Sequence, residues 1–411
     1  MASFGIPLSG LQASSNSLSV IANNLANLNT DGYKSQTLNF GDMLFQMQGS
    51  SGNGDPIQIG SGVQVESTTS NFTNGTVNST GVASNMALQG NGFFVVNNAG
   101  STEYTRAGDF TVNSSGQLVD ANGDLVMGYP ATNGVVSTTG TLGPITVNQA
   151  ATIPAVPTTS FETTTNLQAG SAIGATFSTP ISVVDSLGAS QTLSIQYTNT
   201  GTNTWSYSIT LPASATGATS PTMVASGSLT FNSSGALTSP SGSVTGIKIT
   251  GLSDGAAPMN LTWNLSDASG NPTLTQQDSA SATTATNQNG YGVGTLTNYS
   301  VLADGTVQGQ FSNDQTLALG QVAVAGFANV QGLSQLSNGD LQSTFSSGAA
   351  VIGQAGIGGL GTITGSAVEG SNVDLSTEFS NMIVAQQGYE ANAKVLTTLD
   401  QVSQATIQLV S

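Results

Sequence analysis

Two stretches decide the fold: residues 8–30, LSGLQASSNSLSVIANNLANLNT, and residues 373–411, VDLSTEFSNMIVAQQGYEANAKVLTTLDQVSQATIQLVS. Both have the apolar spacing of an amphipathic helix. Nearly all of the chain between them is rich in Gly, Ser, Thr and Asn and has the pattern of strands. Helical ends around a β interior predict that the two ends come together, and that part of the surface they pack against lies outside the chain.

The first helix carries a narrow apolar seam with a seven-residue repeat. Small residues beside the seam permit close approach of another helix, and the segment 29–32 (NTDG) supplies a glycine that predicts the helix end. A single helix of about twenty residues is marginally stable alone in water, so this helix needs a partner. The seam consists of Leu11, Leu18, Ile21, Leu25 and Leu28.

The last helix has a sharp start, because Asp374 or Ser376 can cap it and Glu378 complements the helix dipole. Seam spacing alone does not distinguish a two-helix coiled coil within one chain from burial between copies of the chain, and both alternatives are open at this point. The seam consists of Leu375, Phe379, Met382, Tyr389, Ala393, Leu396, Leu399, Val402, Ile407 and Val410.

The composition excludes several classes of function. Charged residues make up 6% of the 411 residues, and the net charge of −17 includes only four cations, Lys34, Arg106, Lys248 and Lys394. Four cations do not neutralise a row of phosphates, so nucleic acids and anionic membrane surfaces are excluded as partners. The absence of Cys rules out disulfides and thiolate metal sites. No stretch reaches the roughly eighteen apolar residues of a membrane span, and no cleavable signal peptide is expected.

Enzymatic chemistry has little support in the sequence. Without His or Cys, the usual general base near neutral pH and the thiolate nucleophile are missing. Paired carboxylates of the glycosidase kind stay conceivable, but among 21 acidic residues some pair is close by chance. Residues 120–124 (DANGD) resemble the start of a calcium loop, yet the twelfth position is Ala131 and strands flank the segment, which favours a hairpin turn. We therefore predict no catalytic residue, no cofactor site and no metal site.

The order of these patterns predicts a nested chain. The fold class is mainly β with α-helical termini: nested β domains, built as antiparallel barrels or sandwiches, and a helical coiled-coil domain from the two ends. The expected domains are a terminal helical polymerisation domain (1–30 with 373–411), a Gly/Ser/Gln-rich linker (31–70), a first β domain (71–145 with 285–372) and an inserted outer β domain (146–284).

Three ordered motifs resemble the signatures of the bacterial flagellar rod and hook axial proteins. They are ANNLAN at 22–27 followed by NTDGYK at 29–34, LQGNGFFVV at 88–96 with YTRAGDF at 104–110, and SNVDL at 371–375 with YEANAK at 389–394. Together the motifs frame the whole chain, whereas residues 146–284 match none of them. The residues singled out in these motifs are Asn23, Asn24, Asn27, Gly32, Tyr33, Gly90, Asn91, Gly92, Glu390 and Asn392.

The inserted β unit favours the hook branch of this family, because rod proteins are shorter and lack a large insertion. The resemblance implies a non-enzymatic subunit that polymerises with itself into a curved hollow tube, a universal joint between motor and filament, with the terminal helices lining its channel. It implies the flagellar rod, the hook cap, the hook–filament junction proteins and the type III export gate as partners, and an extracellular place in the flagellum. Phe40 and Leu44 fit the family's export signal, which is a Phe, then three residues of any type, then an apolar residue.

Three other interpretations compete with the hook. A distal-rod-like protein with an unusual insertion belongs to the same class. A secreted β-rich adhesin shares the Ser/Thr/Asn bias, but it has no reason for helices at both ends. A two-carboxylate glycosidase has the least support. Electron microscopy distinguishes them, because curved tubes indicate a hook, short straight tubes a rod, and monomers that bind sugars an adhesin.

Overall fold

The computed structural model describes residues 4–50, 56–148, 150–267, 269–336 and 339–410. The chain divides into two compact units. Unit 1 comprises residues 1–148, 298–309 and 316–411, and unit 2 comprises residues 149–297 and 310–315.

The described chain contains three α-helices, α1 (Gly5–Ala26), the short α2 (Ala213–Thr216) and α3 (Leu375–Val410), and one 3-10 turn (Val330–Gly332). α1 and α3 are the two terminal helices expected from the apolar spacing. α3 is capped by Asp374, whose Oδ1 accepts a hydrogen bond from the backbone amide of Thr377 at 2.8 Å. Of the two cap residues that the sequence left open, the structure selects Asp374.

α1 ends at Ala26, earlier than the expected end at residue 30. The side-chain amide of Asn27 donates to the carbonyl of Asn23 at 2.9 Å, and the backbone amide of Asn27 donates to the same carbonyl at 3.2 Å. Leu28, which was assigned to the helical seam, therefore lies in the turn after the helix. Gly32 has a positive φ of 70°, but it lies well past the helix end and is not the cap.

The strands of the described chain are named β1 to β32 in chain order. Strands β1 to β13 are Gln36–Asp42, Gln46–Ser50, Pro56–Ile59, Val63–Ser70, Val77–Ser79, Met86–Gln89, Phe93–Asn98, Ser101–Thr105, Thr111–Val112, Leu118–Val119, Leu125–Thr132, Val135–Val136 and Gly143–Pro144. Strands β14 to β24 are Thr152–Ile153, Ser160–Gln168, Thr176–Val184, Ser190–Gly201, Thr204–Leu211, Thr222–Phe231, Leu237–Ser239, Val244–Ile249, Met259–Asn264, Leu274–Gln277 and Ala282–Gln288. Strands β25 to β32 are Gly294–Val301, Thr306–Phe311, Thr316–Gly326, Ser334–Gln335, Leu341–Gln342, Val351–Gln354, Thr362–Gly365 and Ala367–Glu369. The expected mainly β class with helical termini is confirmed.

The largest sheet of unit 1 runs through β27, β11, β7, β8, β29 and β28 in that order, with antiparallel neighbours. All four residues of the segment 93–96 (FFVV) in β7 are buried, although successive side chains point to opposite faces of a sheet. Both faces of this sheet are therefore covered. On one face, the ring of Phe93 packs edge-on against Phe72 and Phe327, with ring centroids 5.6 and 5.9 Å away.

The segment 31–70, expected as a linker, contains β1 to β4. β1 pairs with β4 from Gln36 opposite Ser70 to Asp42 opposite Val63, and β2 pairs with β3. Most side chains of β1 and β4 are exposed or half-buried. Because neither strand has a buried face, the segment lacks the alternation of apolar and polar residues by which a half-buried strand is recognised in a sequence.

Unit 2 is a sandwich of two sheets around one apolar core. One sheet has the antiparallel order β16-β17-β18-β19-β20. The other has the order β21-β22-β15-β23, with β24 also paired to β15. β15 runs parallel to β22 and β23, which the residue alternation did not predict because alternation reports the faces of a strand and not its direction. The largest fully buried side chains of the shared core are Trp205, Trp263, Tyr197, Phe161 and Leu167.

Candidate functional site

The two terminal helices pack against each other in unit 1 and run in opposite directions. Near the start of α1, a Cβ atom on Gly10 would lie 2.8 Å from the side-chain amide of Asn392. Near the end of α1, the side-chain amide of Asn24 donates to Oε1 of Glu378 at 3.0 Å. Residue numbers thus rise along α1 while they fall along α3, which fixes an antiparallel register.

Gly388, in the interior of α3, is explained by this helix pair. A glycine inside a helix costs about 1 kcal/mol relative to Ala. A Cβ atom at this position would lie 3.2 Å from Oγ of Ser14 on α1, and the backbone carbonyl of Gly388 accepts a hydrogen bond from the side chain of Asn392 at 2.9 Å. The glycine therefore permits the two helix backbones to come close together.

The expected seam residues fall into two groups. The first group is buried or half-buried in the helix pair and consists of Leu11, Leu18, Ile21, Leu25, Met382, Ala393, Leu396 and Leu399 on the helices, with Leu28 in the following turn. The second group is exposed. Together with the other exposed apolar side chains of α3 it makes up the set that we name the exposed face of α3, which extends over more than one side of the helix: Leu375, Phe379, Ile383, Val384, Tyr389, Val395, Val402 and Ile407. The side chain of Val410 lies outside the described part of the chain.

α3 is longer than the helix that it packs against. α1 has 22 residues and α3 has 36, which correspond to about 33 and 54 Å of helix. Because Gly10 lies opposite Asn392, the first residue of α1, Gly5, is level with the neighbourhood of Thr397. The last turns of α3 therefore extend beyond α1.

Asn24 joins the helix pair to the chain that follows α1. It is 1% exposed, and all of its side-chain polar atoms have partners within unit 1. Its Nδ2 donates to the carbonyl of Gln36 at 2.8 Å and to Glu378, and its Oδ1 accepts from the amide of Gln36 at 2.9 Å and from the hydroxyl of Tyr33 at 3.1 Å. Burial, with the nearby Glu378 carboxylate, raises the pKa of Tyr33. Two of the family-motif residues, Asn24 and Tyr33, are thus in direct contact.

Glu369, at the end of β32, is the centre of a second network. Its side chain is fully buried and contacts two of the four cations of the chain. Its Oε1 lies 2.7 Å from Nζ of Lys34, and its Oε2 lies 3.2 Å from Nη1 of Arg106. The amide of Gly75 also donates to Oε1 at 2.9 Å. One carboxylate thereby joins the N-terminal motif, the β-domain motif and the segment that leads into α3.

The electrostatics of this network are those of a buried, compensated charge cluster. Burial lowers the pKa of Lys34 and of Arg106, and the Glu369 carboxylate opposes both shifts. Further acceptors surround the cations: Lys34 donates to the carbonyl of Thr73 at 2.8 Å, and Arg106 donates to the carbonyl of Gly90 at 2.7 Å. The network is satisfied mainly by hydrogen bonds within the protein, and removal of Glu369 would leave two desolvated cations without their anion.

The family-motif glycines occupy tight backbone crossings. Gly32 has positive φ, its amide donates to the backbone carbonyl of Glu369 at 2.7 Å, and a Cβ atom there would meet the backbone of Arg106 and Ala107. Gly90 and Gly92 have φ values of 103° and 123° in the turn between β6 and β7, a region that side chains disfavour. Between them, the carbonyl of Asn91 accepts from the amide of Gly361 at 2.7 Å.

The remaining candidate residues lie on the surface or in α1. Asn23 donates to the hydroxyl of Tyr33 at 3.1 Å, and Glu390 is exposed on α3. Of the export-signal candidates, Phe40 lies in β1 with 41% of its surface exposed, and Leu44 follows that strand with 90% exposed. Their role in export stays a prediction.

Sequence reasoning did not single out Glu369. Lys34 and Arg106 were visible inside the motifs, but no local pattern indicated which of the 21 acidic residues would meet them. The scarcity of cations was the available signal. In a chain with four of them, two that lie inside family motifs are candidates for a buried pair.

Four family models match segments of the chain, and each describes a flagellar protein. They are the flagella basal body rod protein (residues 7–34), the flagellar hook protein FlgE/F/G D1 domain (87–168), the flagellar basal body protein FlaE D2 domain (146–291) and the flagellar basal body rod FlgEFG protein C-terminal model (364–409). Among the residues that the structure describes, no helix has both the length and the hydrophobicity to cross a membrane.

Relatives of known identity match along the full chain. The flagellar hook protein FlgE of Escherichia coli (strain K12) is 36% identical over 420 residues, which cover 99% of each chain. The FlgE proteins of Salmonella typhimurium and Borreliella burgdorferi are 37% and 32% identical, over 99% and 98% of this chain and 100% and 98% of theirs. The crystal structure of Helicobacter pylori flagellar hook protein FlgE2 matches with a TM-score of 0.52 at 15% identity, over 70% of this chain and 98% of that one, and so shares the fold.

Proposed function

The chain belongs to the flagellar hook protein FlgE family, and we propose that it builds the curved hollow tube of the hook through the exposed face of α3. It is a structural subunit of the flagellar hook, from a family that is structural and not enzymatic, and that polymerises with itself and associates with the basal-body rod. The hook cap, the hook–filament junction proteins and the type III export gate are its further proposed partners, and the outside of the cell is its proposed place.

The exposed face of α3 is the observation that carries this proposal. Val384 and Ile407 are 68% and 66% exposed, and Ile383 and Val402 are 55% and 54% exposed. Full burial of an apolar side chain of this size contributes roughly 1.5–3 kcal/mol, and a single copy of the chain lacks a large part of this contribution at each position. A head-to-tail contact that does not close on itself buries the same face in every copy and produces a helical filament.

The domain roles follow from this assembly. Residues 1–30 with 373–411 form the polymerisation domain, residues 31–70 link it to the first β domain (71–145 with 285–372), and residues 146–284 form the outer β domain.

Phe40 and Leu44, in the linking segment, form the proposed export signal. Phe40→Ala with Leu44→Ala should stop secretion without loss of synthesis. The control is Leu187→Ala, at an exposed apolar position of unit 2 (59% exposed), which should not affect secretion. Normal secretion of the double variant refutes the assignment.

Two substitutions on the exposed face test the assembly. Val384→Gln with Val395→Gln introduces a good helix former at positions that are 68% and 49% exposed, so the monomer should fold unchanged. The concentration at which tubes form should rise roughly tenfold or more, because two apolar side chains lose their burial between copies. Sedimentation gives this concentration, and electron microscopy distinguishes curved tubes from short straight ones.

The matched control is Gln387→Ala with Thr398→Ala, two exposed polar positions on the same helix with the same spacing. These changes should leave assembly at the wild-type concentration. Curved tubes formed by the Val384/Val395 variant at that same concentration would contradict the proposed role of the exposed face.

A further inference from the structure

Four buried carboxyl groups lie together in unit 1. Glu103 is on β8, Asp120 and Asp124 are in the turn between β10 and β11, and Asp340 precedes β29. They are 6%, 5%, 8% and 2% exposed, in that order. One oxygen each from Glu103, Asp124 and Asp340 lies within 4.8 Å of the corresponding oxygen of the other two.

The backbone fixes these groups in place. Leu341 of β29 pairs antiparallel with Tyr104 of β8, so Asp340 lies opposite Thr105, which is two residues along β8 from Glu103 and on the same face of the sheet. The segment 120–124 forms a tight turn, in which Oδ1 of Asp120 accepts hydrogen bonds from the amides of residues 122 and 124 at 2.9 and 2.8 Å. The side-chain amide of Asn122 donates to Oδ2 of Asp340 at 3.4 Å. Three separate segments of chain therefore present carboxylates to one point.

The cations that form salt bridges in the described part of the chain are held elsewhere in unit 1. Both salt bridges end on Glu369, and they occupy Lys34 and Arg106. The pKa of Asp340 is raised to about 6: burial raises it, the hydrogen bond of the Thr105 hydroxyl lowers it, and the negative charges of Asp120, Glu103 and Asp124 raise it. Burial and neighbouring acids likewise raise the pKa of Asp124.

Asp124 points independently to a ligand. Its Oδ2 is buried and has no hydrogen-bond partner among the residues that the structure describes. A buried carboxylate oxygen without a donor costs free energy, and natural proteins avoid it unless something outside the chain binds there. The missing partner and the excess negative charge occur at the same residue.

We propose that Glu103, Asp124 and Asp340 bind one divalent cation of the Ca²⁺ class. Ca²⁺ prefers six to eight oxygen ligands at about 2.3–2.6 Å, so two oxygens on opposite sides of the ion are about 4.8 Å apart. Mg²⁺ needs oxygens at about 2.0–2.1 Å and near-ideal octahedral geometry, which three buried carboxylates from separate strands satisfy less well. The ion would pair Oδ2 of Asp124 and bind β8, the 120–124 turn and β29 to one another.

This site differs from the calcium loop considered for residues 120–124. A helix–loop–helix site takes all its protein ligands from one continuous segment, and Ala131 stands where such a loop needs Glu. Here the turn contributes Asp124, and the other two carboxylates come from separate segments: Glu103 from β8 and Asp340 from the residue before β29. The inference does not depend on the assembly proposed above.

The test uses the full chain freed of metal with a chelator, and CaCl₂ as the probe. Calorimetric titration should show one Ca²⁺ per chain, with a dissociation constant of about 10⁻⁴–10⁻³ M. At about 10 mM Ca²⁺ the melting temperature of unit 1 should rise by about 3–5 °C, and by less with Mg²⁺. No binding heat together with no rise in melting temperature at that concentration overturns the proposal.

Asp124→Asn locates the site. It keeps the size of the side chain and removes one of the repelling charges, so without Ca²⁺ it should melt no lower than the wild type, and its affinity for Ca²⁺ should fall by about tenfold or more. Asp278→Asn, the same change at an exposed position of unit 2, should bind Ca²⁺ as the wild type does. Unchanged binding by Asp124→Asn overturns the assignment. Should that variant not fold, Asp340→Asn replaces it with the same two outcomes.

Discussion

Unit 2 and the terminal helix pair use large apolar side chains in opposite ways. In unit 2, Trp205 and Trp263 are at most 1% exposed between two sheets. On α3, Val384 and Ile407 are more than half exposed along a helix whose partner is shorter. The difference teaches that unit 2 buries its large apolar side chains within one copy of the chain, whereas the helix pair leaves several of its own exposed, as the proposed assembly requires.

Unit 1 differs from unit 2 also in what holds its distant segments together. At Glu369 the segments that contain Lys34 and Arg106 meet through buried charges, while in unit 2 the two sheets meet through a continuous apolar core. Buried charges are sensitive to the loss of one partner, and apolar cores to the loss of volume. A substitution that removes a buried charge should therefore destabilise unit 1, and one that removes core volume should destabilise unit 2.

The largest effect is expected for Glu369→Gln. The change leaves Lys34 and Arg106 buried without an anion, and the free energy of unfolding of unit 1 should fall by about 3–5 kcal/mol. Hydrogen exchange resolved by peptide should show lost protection in segments 74–106 and 362–369 and wild-type protection in segment 190–211. Glu66→Gln, an exposed position in the same unit, is the control and should change stability by less than about 0.5 kcal/mol. Equal losses in both units would break the comparison.

The next effect is expected for Leu261→Ala in unit 2. Leu261 is 0% exposed in the shared core, and its truncation should cost about 3 kcal/mol through lost burial and the cavity that remains. Denaturant unfolding measures the cost, and hydrogen exchange should place it in unit 2. Leu187→Ala, at a position that is 59% exposed, should be nearly neutral. A cost for Leu261→Ala as small as that of the control would mean that this core is loosely packed.

A smaller effect concerns alkaline pH. Burial raises the pKa of Tyr197 to about 12, from an ordinary value of 10.0. The unfolded chain then loses this proton at lower pH than the folded chain, so the stabilisation is complete below about pH 10 and is lost as the pH rises through about 12, by about 2 kcal/mol. Unit 2 of Tyr197→Phe should lack this part of the decline when stability is followed from pH 9 to 12. Identical pH profiles for variant and wild type would contradict the assignment.

The smallest effect is expected for Asp374→Ala at the start of α3. The amide of Thr377 loses its partner, and the first turn of the helix should fray. Hydrogen exchange of the amides in residues 375–378 should accelerate several-fold, while the protection of unit 2 stays unchanged. Asp400→Ala, in the interior of the same helix, should leave those amides unaffected.

Much of the fold was predictable from local patterns. The period of the apolar residues identified α1 and α3, and the alternation at residues 192–197 and 205–209 identified strands whose buried faces build the core of unit 2. The three motifs identified the family before any contact was known. The hairpin turn expected at residues 120–124 is present between β10 and β11.

Other features had no local signature. The seam of α3 was read as one stripe, but in the structure some of its residues are half-buried, such as Met382 and Leu396, and others are exposed, such as Phe379 and Tyr389. Periodicity reports which residues share a face, and it does not report how wide the partner helix is or where it ends. The hairpin of β1 and β4 was missed because strands without a buried face show no alternation.

The sequence by itself determined the elements, the family and the kind of surface the protein has, because propensity, period and composition are properties of neighbouring residues. Only the tertiary structure decided that Glu369 meets Lys34 across 335 positions of chain, and that Asp340 meets Asp124 from a distant segment. Such pairs depend on the path of the whole backbone. In a chain with 21 acids and four cations, that path alone selects which acids meet a cation and which acids meet one another.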